Sequence, residues 1–189
     1  MNEADNSRNR EAQLGPLASL IGAWEGIYGE EDDPDTAISY HETITFEPIG
    51  PVDTGAGKLH GLRSSTFAWA YGEQDGPPIH EELGYWLWCP RERRVIRSFT
   101  NHNGVAINAA GECDADADQF EIVARADATS CGIVSIPFLN HGCRTLAYRL
   151  ALTIKSDHSF SYQEETRLRT EGGEETFIHR GHNKLAKVH

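Results

Sequence analysis

The chain has 189 residues, 39% apolar and 24% charged, which is the size and composition of a single globular unit able to bury its own core. Its formal charge of -12 would repel a phosphate backbone, so nucleic acid is not an expected partner. No stretch approaches the roughly 18 apolar residues of a membrane helix, and the polar, acidic start resembles neither a secretory nor a transit signal, so a cytoplasmic protein without a membrane span is expected.

Residues 1–13 lack apolar periodicity and read as a disordered tail, leaving 14–189 as one domain. Gly15 and Pro16 introduce a short apolar run, Leu17 to Ile21, that suits a brief helical turn. From Trp24 onward, short runs rich in Thr, Ile, Val, Phe, Tyr and Trp alternate with Gly, Pro, Asp and Asn clusters, the punctuation of strands. Candidate strands fall at 24–29, 38–47, 59–71, 79–88, 93–100, 105–110, 119–127, 144–154, 159–168 and 174–188.

Two of these alternate clearly. Leu146, Tyr148, Leu150, Leu152 and Ile154 share one parity, and Ile38, Tyr40, Ile44 and Phe46 share another, interrupted by Glu42. A carboxylate on that inward side needs a partner or a wet cavity. Similar strands in succession, with no βαβ rhythm, predict an all-β fold, either a sandwich or a closed barrel. Cys89, Cys113, Cys131 and Cys143 are widely spaced and read as reduced structural thiols; Cys131, His141 and Cys143 lack an evident fourth metal ligand. Phosphate loops, nucleophile elbows and paired catalytic carboxylates are absent, so any chemistry would be carried by a cofactor.

Gly22-Ala23-Trp24-Glu25-Gly26, after a short apolar turn, resembles the opening of calycins, whose Trp closes one end of the barrel. The stretches Thr45 to Pro51, Ile79 to Trp88, Ser159 to Thr166 and Phe177 to Leu185 are similar, in order, to the bacterial fatty-acid-binding-like proteins grouped with the nitrobindins. The likeness runs from about Leu14 to Val188 and implies a single antiparallel barrel of about ten strands around a ligand cavity. In nitrobindins a histidine of the last strand holds ferric haem, so the resemblance points to His179 as the axial ligand. His182 is its rival if Gly181 hosts a bulge, and His80, after Ile79, matches the pocket histidine. It also implies handling of nitric oxide, peroxynitrite or peroxide, with peroxynitrite isomerase-like activity when haem is bound. Relatives carry an Ile-Pro-Arg-Gly-like turn where this chain has Asn101-His102-Asn103-Gly104.

A haem site needs an imidazole, an apolar wall and a hydrogen bond to the second imidazole nitrogen. Tyr148, Leu150, Leu152, Phe160, Tyr85 and Leu83 are wall candidates, and Glu164 or Glu165 could orient the imidazole. Glu81 and Glu82 would raise the pKa of His80. His80, Glu82, Trp86 and Trp88 point to one side and Leu83, Tyr85 and Leu87 to the other, but the segment does not say which side is the lumen. The alternative ligand is a fatty acid or similar amphiphile held without catalysis, with Arg167 or Arg169 capturing its carboxylate. A homodimer is compatible with either reading.

Overall fold

The computed structural model describes residues 12–32, 37–55, 57–170 and 176–188. Most of the tail expected over 1–13 lies outside them. A 3₁₀ helix, Gly15–Leu20, leads into eleven strands: β1 (Gly22–Asp32), β2 (Ala37–Asp53), β3 (Lys58–Ala70), β4 (His80–Cys89), β5 (Arg94–Asn101), β6 (Val105–Glu112), β7 (Gln119–Ala126), β8 (Gly132–Ser135), β9 (Cys143–Ser156), β10 (Ser159–Thr170) and β11 (Thr176–Lys187). They close in the order β1-β11-β10-β9-β7-β8-β6-β5-β4-β3-β2. Barrel, not sandwich, is therefore the outcome.

The strand beyond the expected ten is β8. At four residues it is too short for alternation to register, and it follows Cys131, a non-glycine residue at φ +55°. It pairs antiparallel with β6 and parallel with β7, the one parallel pairing among the described strands. A six-residue helix α1, Pro137–Gly142, follows it and was also unanticipated.

One end of the barrel is plugged by apolar side chains. Leu17 and Leu20 of the 3₁₀ helix are fully buried, and Trp24 is 1% exposed. The Trp24 indole donates to the Leu20 carbonyl at 2.6 Å and meets Phe160 edge-on at 4.9 Å. Phe46, Leu62, Trp88 and Leu185 complete the layer. The Gly-Ala-Trp motif therefore does here what a calycin opening does.

Inward parity follows from burial. It falls on Tyr40, Glu42, Ile44 and Phe46 of β2 and on Glu82, Trp86 and Trp88 of β4. It falls on Val95, Arg97 and Phe99 of β5 and on Asn183 and Leu185 of β11. This settles the β4 ambiguity, since Leu83 and Tyr85 lie on the outer face and are exposed, so neither forms a cavity wall. On β9 the expected face holds for Tyr148, Leu150 and Leu152, but the pairing slips between Arg167 and Leu168 of β10. Thr145, not Leu146, then takes the inward position.

Candidate functional site

Above the plug the barrel encloses a cavity of about 570 Å³, within the roughly 300–1,000 Å³ usual for small-molecule sites. Ile44, Phe46, Leu150, Leu152 and Phe160 line its inner part. Ile79, Ile136, Phe138 and Leu168 line it together with His80 and His179. Phe138, from α1, is 78% exposed.

The middle of the cavity is polar. Arg97 is buried with both terminal nitrogens engaged: Nη2 donates to Glu82, and Nη1 donates to the Tyr148 hydroxyl and, at 3.3 Å, to Glu164. Its guanidinium lies over the Phe99 ring at 4.1 Å. Tyr148 donates to Glu164 at 2.8 Å, and the second oxygen of Glu82 faces His80 Nε2 at 3.1 Å. A second group surrounds Glu42, whose carboxyl accepts from the Tyr162 hydroxyl and, at 2.9 Å, from Asn183. The Tyr40 and Tyr162 hydroxyls are 2.9 Å apart.

Two glycines of β1 make this possible. A Cβ on Gly26 would collide with the Asn183 amide and one on Gly29 with the Tyr40 ring. Gly26, which ends the motif that marks the first strand, thus also clears space for Asn183 beside Glu42, and Gly29 clears space for Tyr40, which meets Tyr162.

Burial sets the protonation of the web. It pushes the Glu42 carboxyl up from 4.5 to about 7, beyond what the Asn183 and Tyr162 hydrogen bonds offset. Burial would lower His80, but the Glu82 hydrogen bond and charge outweigh it and raise the imidazole from 6.5 to about 9. Burial would raise Glu82, yet the Arg97 charge and the His80 bond hold it below the usual carboxylate value. Glu164 is raised, by burial first and then by the Glu82 charge. At neutral pH His80 is thus an imidazolium with Nε2 committed to Glu82.

The expected site residues divide cleanly. His179, His80, Ile79 and Tyr148 line the cavity. His182 does not: it is on the outer face, half exposed, and 3.3 Å from Glu30. The pairing of β10 with β11 runs from Ser159–Ala186 to Arg169–Thr176 without a slip, so Gly181 carries no bulge. The irregularity lies on β1, between Glu25 and Glu30. Arg167 and Arg169 are exposed on the outer face, where they cannot hold a ligand carboxylate in the lumen. Glu164 faces inward, while Glu165 is outside with Arg180.

Sequence reasoning missed Arg97 and Tyr162, and it read Tyr40 as inward on β2 without a place in the site. Arg97 sits between Ile96 and Ser98, so both faces of β5 mix polar and apolar residues and parity is uninformative. The usable signal was charge balance, because inward carboxylates at Glu42, Glu82 and Glu164 call for a buried cation.

The fold and cavity together define a ligand-binding barrel of the calycin type. Residues 13–187 match the family model described as THAP4-like, heme-binding beta-barrel domain, and the chain belongs to that family. Its barrel is similar to Rv2717c from M. tuberculosis (TM-score 0.70, 23% identity, 94% of this chain and 98% of that one). It is also similar to the S-type phycobiliprotein lyase CPES from Guillardia theta (TM-score 0.59, 9% identity, 96% and 97% coverage). At these identities both likenesses bear on the fold. No match was found among curated proteins. No helix among the described residues is long and apolar enough to cross a membrane.

Proposed function

We propose that this chain binds haem in its cavity, with His179 as the protein ligand to iron. The observation that carries the reading is the placement of the two C-terminal histidines: His179 lines the cavity, whereas His182 is outside beside Glu30. Membership of a haem-binding family supports it. The residues fit the group, since a cavity of about 570 Å³ combines a histidine with the apolar side chains of Phe99, Ile107, Leu150 and Leu152.

When bound, haem would supply an iron able to take nitric oxide, peroxynitrite or a peroxide. The chain's own contribution would be a positioned donor. With Nε2 held by Glu82, the His80 imidazolium keeps Nδ1–H for a molecule in the cavity. Arg97 holds Glu82 in turn, so the buried pair orients His80.

Haem titration followed at the Soret band tests the assignment. His182→Ala should bind as the parent does, and His179→Ala should lose the histidine-ligated spectrum and at least about tenfold in affinity, or about 1.4 kcal/mol. Parent-like binding by His179→Ala would overturn the assignment.

A further inference from the structure

The polar web has an unequal supply of donors and acceptors. Arg97 Nη2 donates to Glu82 and Nη1 to the Tyr148 hydroxyl and Glu164, while the Tyr148 and Tyr162 hydroxyls and the Asn183 amide donate to Glu164 and Glu42. Arg97 Nε has no partner, but it is sealed from the cavity and out of a ligand's reach. The carboxylates are less fully used. Both hydrogen bonds to Glu164 fall on Oε2, and Oε1 of Glu42 accepts from Tyr162 alone. Each carboxylate oxygen can accept two hydrogen bonds, so these carboxylates have acceptor capacity left, beside the one donor that His80 keeps at Nδ1.

Charge points the same way. Three carboxylates, Glu42, Glu82 and Glu164, line the cavity with one arginine and one histidine. Both cations already face Glu82, and Arg97 also meets Glu164. A carboxylate entering this space would be desolvated beside Glu82 and Glu164 and would find one donor left, the Nδ1–H of His80, whose charge Glu82 already meets at Nε2, whereas an ammonium would meet several open acceptors. The arginines that could have anchored a fatty acid, Arg167 and Arg169, are outside.

We propose that the web is a second subsite of the cavity, one that takes the donor-bearing head of an amphiphile: an ammonium before a hydroxyl, and either before a carboxylate. Ile44, Phe46, Leu152 and Phe160 on its inner side offer the apolar wall for the attached chain. The subsite does not rest on haem, because His179 has no part in it.

Calorimetric titration of the haem-free full chain at pH 8, above the Glu42 value of about 7, with dodecylamine, dodecanol and dodecanoate, each below its micelle concentration, tests this. The amine should bind at least about tenfold more tightly than the carboxylate, with the alcohol between them. In Glu42→Gln/Glu164→Gln the amine advantage should collapse to about threefold or less while dodecanol is retained. Glu164→Gln alone is the fallback if the double variant fails to fold, with a partial collapse expected. Because a charge of -12 attracts any cation from a distance, Glu165→Gln, outward on the same strand, is the control and should leave the order intact. Dodecanoate binding as tightly as dodecylamine, no binding by any of the three, or an order unchanged by the inward substitutions would overturn the subsite. None of these results depends on haem.

Discussion

The two ends of this barrel solve opposite problems. At the closed end Trp24, Phe160, Phe46 and Leu185 fill the space with apolar rings and chains, and the polar handle of Trp24, its indole N–H, is satisfied by the Leu20 carbonyl. Toward the open end the walls carry Glu82, Arg97, Glu164 and His80, which are stable inside because they face one another, and Glu42, which faces Tyr162 and Asn183. The closed end is held by packing, whose cost of disruption scales with volume removed and ignores pH. The open end is held by pairing, so removing one partner hurts more than removing both, and pH matters.

The largest expected effect is at the plug. Trp24→Ala should destabilise by about 3–5 kcal/mol, read by denaturant unfolding, with the loss equal at pH 5 and pH 8. A melting curve unchanged within error would mean that Trp24 does not close the barrel.

Arg97→Met leaves Glu82 buried without its strongest partner and should cost about 3 kcal/mol or more. Adding Glu82→Gln should return part of that loss, so the double variant lies closer to the parent than the single losses add up to. Strict additivity would show that the two side chains do not act as a pair.

Glu42 gives a smaller effect with a sign of its own. Its folded value of about 7 lies above the ordinary 4.5, so burying its charge costs nothing below 4.5, costs more as pH rises toward 7, and costs fully above 7. Glu42→Gln removes that penalty. It should match the parent at pH 4.5 within about 0.5 kcal/mol and exceed it at pH 8 by up to about 3 kcal/mol. His80 runs the other way: its contribution is complete below 6.5 and fades as pH passes about 9, and solvent screens it because the imidazole is 38% exposed. An equal effect of Glu42→Gln at both pH values would show that Glu42 is not held neutral by burial.

The smallest effect separates inside from outside. Arg167→Ala lies on the outer face and should change stability by less than about 0.5 kcal/mol and haem binding not measurably.

What was legible in the sequence follows the same division. The closed end announces itself locally, through Gly22-Ala23-Trp24 and through the alternation of β2 and β9, because one apolar face against one polar face is what periodicity detects. The polar half does not announce itself. Glu42 stood out as an inward carboxylate, but its partners Tyr162 and Asn183 come from β10 and β11, 120 and 141 residues away. On β4 both faces carry large apolar residues, so Leu83 and Tyr85 looked as eligible for the wall as Trp86. That His179 faces the cavity and His182 the outside was readable from the parity His179 shares with Phe177, because β11 runs through Gly181 without a bulge.

The spectrum of the ferric haem complex of His179→Gly, taken with and without added imidazole, tests the central claim most directly. The account predicts that the substitution abolishes the histidine-ligated spectrum and that imidazole, entering the space left in the cavity wall, restores it. A His179→Gly complex with the parent's spectrum before any imidazole is added would contradict it.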